Sequence, residues 1–110
     1  MKKRNIELFL NDILESIESI LRYTKDLDIK KFSANKMVKD AVIRNFEIIG
    51  EASKNIPKEI KSKYPNIPWK EMSGMRDKMI HEYFGIDIDI VWQTIKSLPK
   101  LRALLEKISI

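Results

Sequence analysis

A chain of 110 residues with 44% apolar and 34% charged side chains suits one folded domain and excludes a disordered tail. Cysteine is absent and histidine occurs once, which excludes disulfides and thiolate catalysis and argues against a transition-metal site built from protein ligands alone. The balance of 21 basic against 16 acidic residues, +5 overall, favours polyanionic partners such as RNA or DNA, although ordinary solvated helix faces produce the same excess.

The segment from Lys2 to Leu27 places Ile6, Phe9, Leu10, Ile13, Leu14, Ile17, Ile20 and Leu21 at helical spacing, with Glu7, Asn11, Glu15, Glu18 and Arg22 opposite. This spacing predicts a long first helix. A second is predicted to start at Ser33 as N-cap, with Phe32 stapled onto Met37. Its stripe of Val38, Ala41, Val42, Phe46, Ile49, Ala52 and Ile56 runs to Pro57. From Pro57 to Pro68 no period is sustained, and a loop with one helical turn is expected.

Pro68 suits the first turn of a third helix, which runs through Trp69 and Met72 to Phe84 and closes at Gly85. Gly74 inside it costs about 1 kcal/mol relative to Ala and invites a kink or break. Ile86-Asp87-Ile88-Asp89-Ile90 alternates like a strand, but Trp92, Ile95 and Leu98 continue at helical spacing. Asp87 is therefore read as an N-cap, with Ile86 stapled onto Val91. Pro99 should kink or end this fourth helix, leaving Leu101, Leu104, Leu105 and Ile108 for a short fifth. The expected fold is an all-α, antiparallel up-and-down bundle of four to five helices, a single domain over residues 1–110. No apolar run reaches the ~20 residues of a bilayer span and no secretory signal is read, so a cytoplasmic location away from membranes is expected.

One segment carries chemistry: Met75-Arg76-Asp77-Lys78-Met79-Ile80-His81-Glu82-Tyr83-Phe84. It holds the lone histidine, an arginine five residues before it and a tyrosine two after. This triple arises by chance in fewer than about one chain in a hundred of this size. On a helix Arg76 and Tyr83 share a face, whereas His81 lies ~140° around and roughly 7.5 Å along the axis from Arg76. Arg76 and His81 thus flank a groove. A two-fold dimer packing this helix on its mate would bring both copies of each into one cleft. Asp77, four residues before His81, can hydrogen-bond the imidazole and fix its tautomer; pairing with Lys78 is an equal alternative.

Imidazole can take a proton from a ribose 2′-hydroxyl, and guanidinium can hold the phosphate as its charge grows, without a metal. Proton donation to the leaving oxygen needs a second acid. With one histidine per chain, a symmetric dimer would supply it. On the second helix Arg44, Glu47 and Glu51 share a face and read as a solvated ion-pair row, with Gly50 permitting close helix contact. Asn45 interrupts the apolar stripe and is a candidate cleft residue. Arg76 alone could equally pair with Glu71 or a neighbouring helix, and Tyr83 could be a core aromatic. Met72, Met75, Met79 and Ile80 read as core or dimer-interface packing, and Trp69 and Trp92 as core anchors.

Most of the chain resembles the HEPN superfamily, specifically the HepT-like toxins paired with minimal nucleotidyltransferases. The resemblance rests on Arg-x4-His-x-Tyr at Arg76, His81 and Tyr83, with Asp77 after the arginine. It also rests on Arg44 to Ala52, Ile67-Pro68-Trp69, Ile90-Val91-Trp92 and Leu98-Pro99-Lys100-Leu101. It implies a helical homodimer that cleaves RNA without a metal or other cofactor, Arg76 and His81 being catalytic. It further implies an antitoxin, a nucleotidyltransferase that attaches AMP to Tyr83. Two rival readings stay open: a non-catalytic module that docks a nucleotidyltransferase and binds nucleotide, and a basic nucleic-acid-binding domain.

Overall fold

Apolar residues at three- and four-residue spacing wind Lys3–Thr24 into α1, whose inner stripe of Ile6, Leu10, Ile13, Ile17 and Ile20 is buried. The computed structural model describes the backbone of residues 3–84 and 87–110, and the side chains of all of these except 82–84. After α1 come α2 (Ile29–Ala34), α3 (Lys36–Lys54), α4 (Lys58–Lys63), α5 (Trp69–Ser73), α6 (Met75–Phe84) and α7 (Ile88–Leu105). No strand occurs among the described residues, so the all-α expectation holds.

α3 is the hub: α1, α2, α5 and α6 pack on it, while α7 closes the other side against α1, α2 and α6. One contiguous core runs from Ile6 to Leu105 through Phe46, Ile49, Met72, Met79 and Leu98. Each fully buried side chain of this size is worth ~1.5–3 kcal/mol against exposure. Trp69 and Trp92 are buried as anchors, and the Phe32 and Trp92 rings meet at 5.3 Å between centroids. Two buried hydroxyls are satisfied within their own helices, Thr24 donating to the Ile20 carbonyl and Ser53 to that of Ile49.

Three expectations need correction. Ser33 is not an N-cap: it lies inside α2, whose N-cap is Asp28, with its carboxylate accepting from the Lys31 N–H at 2.8 Å. α3 is capped instead by Asn35, whose side chain accepts from the Val38 N–H at 3.0 Å, and Met37 points to solvent rather than stapling onto buried Phe32. The stretch after Pro57 is more than one turn, since Lys58–Lys63 is helical. Pro99 does not end its helix. α7 passes through it because Val91, Trp92, Ile95, Leu98, Leu101 and Leu105 form one buried stripe across the proline. Burying residues on both sides outweighs the one ladder hydrogen bond that proline removes.

Two other local readings hold. Gly74 separates α5 from α6, and the Asp87 carboxylate caps α7 by accepting from the Ile90 N–H at 3.2 Å. The expected closure at Gly85 and the staple from Ile86 lie outside the described residues.

Candidate active site

The short helix α6 is built one-sided. Met75 and Met79 point into the core, which leaves Arg76, Asp77, Lys78 and His81 exposed on its outer side. Where α6 begins, it rests on α3 at Gly50. A Cβ added at Gly50 would stand 3.0 Å from the Arg76 amide nitrogen, 3.3 Å from its Cβ and 3.4 Å from the Ser73 carbonyl oxygen. Glycine is therefore needed here for close backbone approach. The Arg76 backbone is seated by direct contact with α3.

From that seat the Arg76 side chain, 47% exposed, reaches Glu51 with Nη1 3.7 Å from Oε1. Glu51 also meets Lys54 at 3.8 Å, and Arg44 meets Glu47 at 3.7 Å. The expected ion-pair row along α3 thus exists, and Arg76 joins it through Glu51 rather than Glu71. Exposed pairs at such distances are worth only ~0–1 kcal/mol, so a phosphate could displace Glu51 from the guanidinium. Arg44, Glu47, Glu51 and Arg76 line an open groove of 490 Å³, to which α1 contributes Phe9 and Asp12.

His81 lies five residues further along the same uninterrupted helix, exposed, and ~140° around from Arg76. One copy of α6 therefore does not converge both groups on one point. Asp77 and His81 share no hydrogen bond in this single chain. Asn45 is half-buried, its amide donates to the Ala41 carbonyl at 2.9 Å within α3, and it is not among the residues lining the Arg76 groove. The Tyr83 side chain lies outside the described residues. The sequence allows Arg76 a partner on a neighbouring helix without singling out Glu51, and it gives no sign of Phe9 and Asp12 as groove wall. The adjacent Gly50 was the signal for the first; nothing local marks the other two.

A helical bundle that exposes an Arg-x4-His pair on one short helix is a domain of the HEPN type. The chain belongs to the HepT-like family, whose model, described as "Ribonuclease HepT-like", matches residues 13–108. It is 53% identical over 98% of its length to "Putative RNase MJ0125" of Methanocaldococcus jannaschii, covering 94% of that protein. It is 51% identical over 98% of its length to "Putative RNase MJ1216" of the same organism, covering 90% of that protein. With "Probable ribonuclease HepT" of Thermococcus cleftensis it shares 48% identity over 96% of this chain and 97% of the relative. No solved structure gives a significant match. No helix among the described residues is long and apolar enough to cross a membrane.

Proposed function

We propose that this chain is a metal-independent endoribonuclease toxin that cuts RNA in a cleft between two copies of α6. The observation that carries the reading is the placement of Arg76 and His81: both exposed on one helix and about 140° apart around it. Family membership supports the activity. In the proposed cleft, neutral His81 takes the proton of a ribose 2′-hydroxyl and O2′ attacks the adjacent phosphorus. The P–O5′ bond breaks as protonated His81 of the partner subunit gives its proton to O5′. The products are a 2′,3′-cyclic phosphate and a 5′-hydroxyl. Arg76 holds the non-bridging oxygens while charge builds on them.

Asp77 is one turn from His81 and would orient the imidazole once RNA or the second copy restricts both side chains. Asn45 would stand in a supporting role on α3. Neutralisation by a nucleotidyltransferase fits the same site. The Tyr83 hydroxyl would attack the α-phosphorus of ATP, pyrophosphate would leave, and the attached AMP would pair its phosphate with Arg76 two turns away. Product chemistry and mass test the reading together. Cleavage in EDTA should leave 5′-hydroxyl and cyclic-phosphate ends, and the native mass should be twice the 13.0 kDa of one chain. A 5′-phosphate product or an active monomer would contradict it.

A further inference from the structure

The net charge is unevenly spread. Residues 55–70 hold four lysines against the single Glu59, and residues 22–39 hold six basic against two acidic side chains. Several bases are offset by nearby acids, as in Lys36 with Asp40 at 2.8 Å, Lys54 with Glu51 at 3.8 Å and Arg102 with Glu18 and Glu106. Lys58, Lys61 and Lys63 on α4 form no ion pair with any described residue. Residues 55–70 thus contribute +3 of the net +5, with three of their four lysines on one six-residue helix.

None of the residues of that helix is buried. Ile60 and Tyr64 lean on the core. The Tyr64 hydroxyl accepts from the Ser109 N–H at 2.8 Å and donates to the Ser109 carbonyl at 3.3 Å, while the Trp69 indole N–H donates to the Tyr64 carbonyl at 3.0 Å. Anchoring at Ile60 and Tyr64 limits the backbone entropy lost when the lysines of α4 meet a polyanion. Its position matters as well. Asn55 lines the Arg76 groove, and Lys58 follows three residues later, so their Cα atoms lie within about 11 Å.

Resting on the ribonuclease reading, we propose that Lys58, Lys61 and Lys63 form a basic ledge that binds the RNA backbone beyond the cleaved step, gripping phosphates of flanking nucleotides. Such contacts are sequence-independent and salt-sensitive. They would raise affinity for long RNA over short fragments without touching the reacting atoms.

The test uses full-length His81→Ala protein, so that RNA is not consumed, and a fluorescein-labelled oligouridylate of roughly 20 nucleotides, longer than typical single-strand sites of ~4–16. Removing three phosphate contacts should make the slope of log affinity against log salt shallower by about 2. K58A/K61A/K63A should therefore bind at least about tenfold more weakly near 0.1 M salt. K58R/K61R/K63R should bind like the parent, as should K30A/K31A on α2. If the triple alanine variant keeps the parent's affinity and slope, the ledge is refuted. Wild-type cleavage is assayed separately, so loss of the ledge with cleavage intact leaves the ribonuclease reading standing. Equal weakening by K30A/K31A would also overturn the proposal, since the effect would then belong to net charge rather than to α4.

Discussion

Gly50→Ala puts the seating of Arg76 to a quantitative test. The added Cβ would sit 3.0 Å from the Arg76 nitrogen and 3.4 Å from the Ser73 carbonyl oxygen, both backbone atoms that cannot swing aside. The start of α6 must retreat by a few tenths of an ångström. Overpacking of this kind costs ~1–3 kcal/mol, and the better helix propensity of alanine in α3 returns about 1. Net destabilisation is then about 0–2 kcal/mol, a Tm loss of up to roughly 10 °C. Catalysis should suffer more, because a misplacement of ~1 Å in a positioning group can cost about a hundredfold. A fall in kcat/KM of about tenfold or more is expected well below Tm, measured on labelled RNA beside a thermal melt. Gly74→Ala is the control: its Cβ would meet nothing nearer than 3.6 Å, so the variant should match wild type in cleavage and equal or exceed it in Tm. Full activity in Gly50→Ala would refute the idea that α3 sets the position of Arg76.

Other outcomes follow from the same geometry. Pro99→Ala should restore a donor inside α7 and stabilise by about 2 kcal/mol, the helix gain of ~3 less the entropy proline removes from the unfolded chain, read as a higher Tm; a lower Tm would show that α7 depends on its proline. Met79→Ala should destabilise by ~2–5 kcal/mol in urea melts because Met79 is fully buried under α6; a cost below about 1 would mean that this helix is loosely held. Incubation with ATP and a cognate nucleotidyltransferase should add the mass of AMP to the wild-type chain and not to Tyr83→Phe, and AMP found on any other residue would overturn that assignment.

Much of this structure is legible in the sequence where a local rule and burial agree. The α1 stripe, the Asp87 cap and the break at Gly74 are such cases, each set by residues within one or two turns. Legibility fails where they compete. Ser33 looks like a cap, but Asp28 and Asn35 each bind an amide three residues on, and Ser33 falls inside the short helix between them. Pro99 looks like a stop, yet the buried residues on either side hold the helix together. At the site, Arg76, Asp77 and His81 stand out because their spacing is chemical. The Glu51 contact and the wall of Phe9 and Asp12 depend on how α1, α3 and α6 pack, which no local pattern records.

The most direct test of the central claim is cleavage of tRNA and mRNA by purified protein in EDTA, with His81→Ala run beside it. His81 is exposed, so its removal should leave the melt unchanged. The account predicts cleavage by wild type and none by His81→Ala at equal fold. Cleavage that survives in His81→Ala, or that wild type shows only when a divalent metal is restored, would contradict it.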